Sequence, residues 1–269
     1  MGERLATGSA VSRKRSKRPL DGPTIIRAAA VAVCLLGWEA SARVGLVDKF
    51  FFSSPLLIVG AIGQQFASGA IYKHLIATLT EALWGLLLAL LAGAALGWVA
   101  ARNRPLAAVV EPALMLLNSV PRIVAGPILI MWLGIGPPSK VALAFFLAFV
   151  VIFFAVYSGL REVDQALVER VLVLGGTERD VLLHVYAPSV MVWVFSSLRV
   201  TVGLAFTGAI VGEFIASSQG LGYLLSFAQS SYNASLLMGV VCLIMAVVML
   251  LFLVLSRIEA RVMRWKALT

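Results

Sequence analysis

The sequence predicts an all-α polytopic membrane protein with six transmembrane helices. The first observation is the composition: 61% of the 269 residues are hydrophobic and 13% are charged, with a mean hydropathy of +0.97. Soluble domains contain about 45–50% apolar and about 25% charged residues. The second observation is the length of the apolar runs, since about 20 apolar residues cross the hydrocarbon of a bilayer. The third is the uneven distribution of Lys and Arg along the chain.

Five of the six predicted spans are long, largely apolar segments. Two of them contain no formal charge, and the other three contain between one and three charged residues. The five segments, in order of increasing polarity, are residues 141–160, 236–255, 190–211, 75–101 and 25–44. Each is about as long as a helix that crosses the hydrocarbon core.

The remaining span, residues 107–135, is predicted to be a broken helix. It contains three prolines, of which Pro121 lies near the middle. Proline removes a backbone donor, and its ring clashes with the preceding helical turn. We therefore expect the helix to be interrupted near Pro121.

The distribution of basic residues predicts that both termini are cytoplasmic. Lys and Arg are enriched in cytoplasmic segments of membrane proteins. With an internal N-terminus, sixteen of the 22 basic residues fall inside and two lie within spans. The four on the outer side are Arg43, Lys49, Lys73 and Lys140. This topology predicts a basic tail over residues 1–24, a permease domain over 25–257 and a second tail over 258–269.

The N-terminal segment has an alternative interpretation as a cleaved signal peptide. Its basic residues precede an apolar run that ends in Ala40-Ser41-Ala42, a pattern typical of a cleavage site. The polar stretch before the run is unusually long for such a peptide, which favours a retained first span. The basic tail is then expected to contact anionic membrane lipid.

The segment between the predicted fourth and fifth spans, residues 163–188, is too apolar for a plain loop. Leu167, Val171 and Leu174 recur at helical spacing and form one face. Gly175 is well placed to end this helix in a left-handed conformation. The pattern predicts a short helix followed by a glycine turn.

A second short helix is predicted after the turn. Thr177 and Asp180 have the spacing of a capping box. Val181 and Leu182 then form an apolar surface, and Pro188 limits how the chain enters the fifth span. This cytoplasmic surface fits either an amphipathic helix on lipid or an element that enters a groove of a soluble partner.

The same segment resembles the permease subunits of bacterial binding-protein-dependent ABC importers. Their cytoplasmic motif reads Glu-Ala-Ala, three residues, Gly, nine residues and Ile-x-Leu-Pro. Glu169, Gly175 and Pro188 match it in type and spacing, whereas the two alanines are replaced by Arg and Val. Residues 118–140 and 198–225 also resemble the third and fifth spans of the nitrate, sulfonate and taurine branch. The resemblance covers about two-thirds of the chain and implies the MetI-like ABC importer permease fold.

The resemblance implies a subunit of a larger complex in a bacterial inner membrane. Two permease copies would pair with two copies of an ATPase, and a periplasmic or lipid-anchored binding protein would deliver the solute. ATP would be bound by the ATPase, so no cofactor, metal or catalytic residue is expected in this chain, and no nucleic-acid partner. The residues implied to couple it to the ATPase are Glu169, Leu172, Gly175, Thr177, Val181, Leu182 and Pro188.

Ionisable residues within spans are candidates for a translocation path, because a charge in the hydrocarbon is costly. Arg122 and Arg199 would suit an anionic solute such as a sulfonate, taurine or nitrate if both faced that path. The alternative is that each arginine pairs with an acid and holds helices together, with Glu81, Glu111 and Glu213 as candidates. Glu213 is also a candidate for the path itself.

The segment after the fifth span is a candidate outer gate. Gly220 and Gly222 flank Leu221, a pattern that favours a tight turn into a short helix from Tyr223. The segment would close the outer mouth or contact the binding protein. A structural re-entrant helix is the alternative.

Some small residues are expected inside the helix bundle. Gly93 and Gly97 form a GxxxG pattern that permits close helix approach, either within one subunit or at a dimer interface. Cys34 and Cys242 lie in apolar runs and are expected to be buried free thiols.

Two other classes of function fit the sequence less well. A self-sufficient secondary transporter or channel should show inverted repeats and intramembrane acids, and no clear repeat is present. An intramembrane enzyme would need a nucleophile or a metal site. Neither His74 nor His184 has a nucleophile or a metal-ligating residue at a spacing typical of such a site. The chain also lacks a GxxxxGK[ST] motif, so an importer of this kind requires a separate ATPase.

Overall fold

The computed structural model describes residues 22–119 and 121–263, which form helices joined by short connections. Within these ranges there is no strand, which confirms the all-α prediction. The contacts divide the chain after Asp48. The first unit contains one described helix, α1 (Gly22–Val44), which coincides with the predicted first span.

The second unit contains eleven further α-helices, one 3₁₀ turn and one π turn within its described residues. They are α2 (Lys49–Phe52), α3 (Pro55–Ala67), α4 (Ala70–Arg102), α5 (Arg104–Ser119), a 3₁₀ turn (Arg122–Val124), α6 (Ala125–Leu133), α7 (Pro137–Arg161), α8 (Gln165–Val173), α9 (Glu178–Val181), a π turn (Leu182–Tyr186), α10 (Ala187–Ile215), α11 (Leu221–Ser230) and α12 (Ala234–Val262).

Four helices in the described part of the chain are long and apolar enough to cross a membrane. They are α4, α7, the continuous helix Glu178–Ile215 and α12. These helices coincide with the predicted second, fourth, fifth and sixth spans.

The predicted third span is a broken helix, as expected from its prolines. The helix α5 ends at Ser119, and α6 begins at Ala125 after the 3₁₀ turn. Pro121 lies in this interruption, which confirms the predicted break. Pro127 falls in the first turn of α6, where its missing N–H costs no helical hydrogen bond.

The helix α7 forms the centre of the bundle and packs along both α4 and α10. Glycines on α4 let the two backbones approach. A Cβ on Gly93 would lie 3.0 Å from the Cβ of Ile152, and one on Gly97 would lie 2.8 Å from the carbonyl oxygen of Phe153. The GxxxG pattern therefore packs within one subunit, the first of its two predicted uses.

Gly208 of α10 provides a test of this close packing. A Cβ there would lie 2.6 Å from Cα and 2.8 Å from the backbone nitrogen of Ala144. We expect Gly208→Ala to lower the free energy of unfolding by about 1–3 kcal/mol, the usual cost of overpacking. Thermal unfolding in detergent measures the effect.

Gly203, on the same helix, is the matched control. A Cβ there would meet only the ring of Phe252, at 3.7 Å. Because alanine is the better helix former, Gly203→Ala should leave stability unchanged or raise it. Equal melting temperatures for the two variants would show that the α7–α10 contact tolerates an added methyl group.

The expectation that both cysteines are buried is wrong. Cys34 and Cys242 are free thiols, but each lies on an exposed face of its helix. The physical reason is that lipid is as apolar as a protein core, so an apolar residue in a span need not face another helix.

Candidate functional site

The coupling segment, residues 163–188, begins with a capped helix that ends at a glycine. The Asp164 carboxylate accepts a hydrogen bond from the Ala166 N–H at 2.9 Å and caps α8. Gly175 has φ +85° and has open space around it, so its backbone conformation alone requires glycine. The Gly176 N–H then donates to the carbonyl of Val171 at 2.9 Å. The predicted helix and glycine turn are confirmed.

Thr177 caps the next helix as its spacing with Asp180 predicted. The Thr177 N–H donates to the Asp180 carboxylate at 2.8 Å, and the Asp180 N–H donates to the Thr177 hydroxyl at 3.4 Å. Both halves of the capping box are present. Such a cap contributes about 1 kcal/mol to helix stability.

The second short helix is not a separate element, in contrast to the sequence prediction. It continues through the π turn into α10, which gives a single helix of 38 residues, Glu178–Ile215. Pro188 lies in the first turn of α10, directly after the wider π turn. A π turn accommodates the lost proline hydrogen bond without ending the helix. The second part of the coupling segment and the fifth span therefore form one continuous helix.

Five apolar side chains of this segment are exposed. Val173 is 85% exposed and Leu174 is 86% exposed. Leu167, Leu172 and Leu183 are each about half exposed. We call these five residues the docking face. These residues lie in α8, at the glycine turn and in the π turn, and their exposed surfaces are accessible to another molecule.

The other predicted coupling residues divide between exposed and buried positions. Glu169, Gly175 and Thr177 are exposed, whereas Val181 is only 5% exposed. Leu182 is half-buried beside it. Val181 and Leu182 line a cavity of about 400 Å³ between α8 and α9. Their side chains therefore face other residues of the coupling segment.

The predicted path residues have different surroundings. The Arg199 guanidinium lies 3.4 Å from the Glu259 carboxylate of α12, rather than beside any of the three acids expected from the sequence. Glu111 instead accepts a hydrogen bond from the Tyr157 hydroxyl at 2.8 Å. Arg122 begins the 3₁₀ turn, and its side chain lies outside the described part of the structure.

The third predicted path residue, Glu213, belongs to a buried polar cluster. It is 1% exposed, and Thr78 of α4 is fully buried beside it. The Thr78 hydroxyl lies 2.7 Å from the nearer Glu213 carboxyl oxygen and donates to it. The same hydroxyl accepts a hydrogen bond from the Leu221 N–H at 2.8 Å. One hydroxyl therefore links α4, α10 and the start of α11.

The candidate gate residues are held by their backbone N–H groups. The Gly220 N–H donates to His74 Nδ1 at 3.0 Å, and the Gly222 N–H donates to Glu213 at 2.7 Å. Gly220 has φ +110°, which a residue with a side chain adopts only under strain. Because His74 Nδ1 is an acceptor here, the imidazole is neutral with its proton on Nε2.

Two further charged residues complete the cluster. Glu81 is 4% exposed and acts electrostatically on Glu213, and its Oε2 atom has no hydrogen-bond partner among the described residues. Lys140 is 1% exposed; its ammonium donates to the carbonyls of Ile135 and Gly136 and acts electrostatically on both carboxyl groups. We call His74, Thr78, Glu81, Lys140 and Glu213 the outer polar cluster.

Sequence reasoning missed most of this cluster. It placed Lys140 in an outer connecting segment and His74 just before the second span. A signal was present, because His74, Thr78 and Glu81 fall at i, i+4 and i+7 and form a polar stripe on an apolar helix. Such a stripe predicts a buried polar contact with another helix.

Comparisons with known proteins agree with this architecture. Residues 85–265 match the family of binding-protein-dependent transport system inner membrane components. A riboflavin transport system permease protein of Chloroflexus aurantiacus is 29% identical over 255 residues, covering 95% of each chain. A taurine transport system permease protein of Escherichia coli is 25% identical and covers 94% of each chain. An inward-facing structure of the MetNI methionine ABC transporter has a TM-score of 0.61 at 19% identity, covering 70% of this chain and 94% of that one.

Proposed function

The chain belongs to the family of binding-protein-dependent transport system inner membrane components and is thus an ABC importer permease subunit. From this premise we propose that a partner ATPase docks on its segment Glu169–Pro188 and drives solute import. The observation that carries this proposal is the docking face. Its exposed apolar residues belong to the coupling segment, whose second part is continuous with α10. Movement of that segment on the ATPase would tilt the fifth span directly.

The complex contains two permease copies, two ATPases and a binding protein that delivers the solute. ATP binds to the ATPase, since this sequence has no GxxxxGK[ST] motif. The permease lies in a bacterial inner membrane with both termini cytoplasmic, as the distribution of basic residues favours. The permease domain spans residues 25–257, between the tails 1–24 and 258–269.

The solute is a small anion of the sulfonate, taurine or nitrate type. Support comes from Arg122 in the third span and from the relative named for taurine. Arg199 of the fifth span already pairs with Glu259 and therefore adds less support. A second candidate is an uncharged ring compound, because another relative is named for riboflavin. Uptake of labelled taurine and riboflavin by the complete importer in proteoliposomes distinguishes the two.

The outer gate consists of Gly220, Leu221 and Gly222. Its support is the set of buried hydrogen bonds from these three N–H groups to His74, Thr78 and Glu213. In the described arrangement the segment is held against α4 and α10. When the gate opens, these hydrogen bonds are exchanged for others. The outer polar cluster therefore stabilises the closed gate.

Co-purification and reconstitution test the proposed function together. We expect the tagged permease to purify with a Walker-motif ATPase and to transport solute only when ATP and that ATPase are present. Solute transport by the permease alone, driven by an ion gradient, would instead identify a secondary transporter and overturn the proposal.

A further inference from the structure

A second polar site, separate from the outer polar cluster, lies at the end of the bundle that carries the coupling segment. It is a cavity of about 500 Å³ between the ends of α4 and α7, the start of α5 and the π turn. Its charged lining residues are three arginines, Arg102, Arg104 and Arg161, and one acid, Glu111. We call this cavity the basic pocket. The excess of positive charge indicates an anionic ligand.

The Arg102 guanidinium is held in place by aromatic rings. It lies 4.7 Å from the ring centroid of Trp98 and 5.5 Å from that of Tyr186. A cation–π contact orients the guanidinium without neutralising it, and the N–H groups along its edge remain available to a ligand.

The single acid of the pocket is already engaged. The Tyr157 hydroxyl donates to Glu111 at 2.8 Å and accepts from Arg161 at 2.6 Å, and the Arg161–Glu111 separation is 3.9 Å. Among the described residues, neither Arg102 nor Arg104 forms an ion pair. Two guanidinium groups therefore face the pocket without a carboxylate partner.

We propose that the basic pocket binds an oxyanion of the phosphate type, supplied by the head group of an anionic phospholipid or by free phosphate. Guanidinium groups bind phosphate through paired, charge-assisted hydrogen bonds, which few other side chains provide. The cavity volume lies within the range of small-ligand sites. The predicted topology places the pocket at the cytoplasmic leaflet, where anionic lipids concentrate and basic pockets between helices bind their head groups.

Lipid binding to the complete importer, with its ATPase, tests this site. Native mass spectrometry would compare dioleoyl phosphatidylglycerol with dioleoyl phosphatidylcholine. We expect the wild-type complex to prefer the anionic lipid by about tenfold, the equivalent of one charge-assisted hydrogen bond. Arg104→Gln should remove most of that preference, because it removes one of the pocket's two unpaired guanidinium groups. The variant should remain folded, since Arg104 is exposed and its loss breaks no internal ion pair. Arg102→Gln is a second variant with the same expected result.

Arg257→Gln is the matched control, because it removes the same charge from an exposed position on α12 that does not line the pocket. It should leave the lipid preference unchanged. If inorganic phosphate displaces the anionic lipid, the site accepts a soluble oxyanion. If the lipid stays bound in the presence of phosphate, lipid is the source of the oxyanion. Either result supports the site. Equal binding of both lipids, or an equal loss in Arg257→Gln, overturns it. Binding to the permease that disappears when the ATPase is added would assign the pocket to the ATPase interface and also overturn it.

Discussion

Replacing Leu174 by Asp should abolish ATP-driven solute transport while leaving the permease folded. Leu174 is 86% exposed, so the substitution removes almost no packing within the chain. In the docked complex the new carboxylate would be buried in an apolar groove without a partner. Residues central to an interface contribute about 2–4 kcal/mol, so we expect ATPase affinity to fall by about 30-fold or more. Pull-down of the ATPase and solute uptake in proteoliposomes measure the two effects.

Two other variants separate docking from folding. Leu46→Asp introduces the same charge at a residue that is 80% exposed in a connecting segment predicted to lie outside, and it should retain ATPase binding. Val181→Asp places the charge at a side chain that is only 5% exposed, so it should destabilise the coupling segment itself. Full ATPase binding by the Leu174→Asp permease would contradict docking on this face.

Replacing Thr78 by Val should release the segment that contains Gly220, Leu221 and Gly222. Valine has nearly the same shape as threonine, but it neither donates to Glu213 nor accepts from the Leu221 N–H. Both groups would remain buried without that partner, at a cost of about 2–4 kcal/mol. We expect a lower melting temperature. We also expect less solute to be transported for each ATP hydrolysed.

The accessibility of residue 221 measures this release directly. A Leu221→Cys substitution, in a background where the exposed Cys34 and Cys242 are replaced by Ser, should react with a water-soluble maleimide faster when Thr78 is Val. Leu221 is fully buried in the described arrangement. Thr78→Ser keeps the hydroxyl and should react at the wild-type rate. Equal labelling rates for the Val and Ser variants would show that the hydroxyl does not hold the gate segment.

Local features of the coupling segment could be predicted from the sequence because neighbouring residues determine them. Gly175 ends α8 since few other residues adopt a positive φ there, and Thr177 and Asp180 form their capping box within one helical turn. The break near Pro121 follows in the same way from the geometry of the proline ring. The family resemblance depended on similar short spacings, and the match to residues 85–265 confirms it.

Long-range contacts could not be predicted in the same way. Thr78 and Glu213 are 135 positions apart, and only the packing of α4 against α10 brings them together. Val181 faces inward and Leu174 outward, although both belong to apolar faces in the sequence.

The sequence by itself therefore determined that the chain is a helical membrane protein, where its helices lie and how the coupling segment turns. Only the tertiary structure decided which faces of those helices meet, and hence where the buried polar cluster and the exposed docking face lie. The physical reason is that a span is apolar on nearly every side. Hydrophobicity then places the helix in the bilayer but leaves its rotation to close packing and to a few buried polar groups.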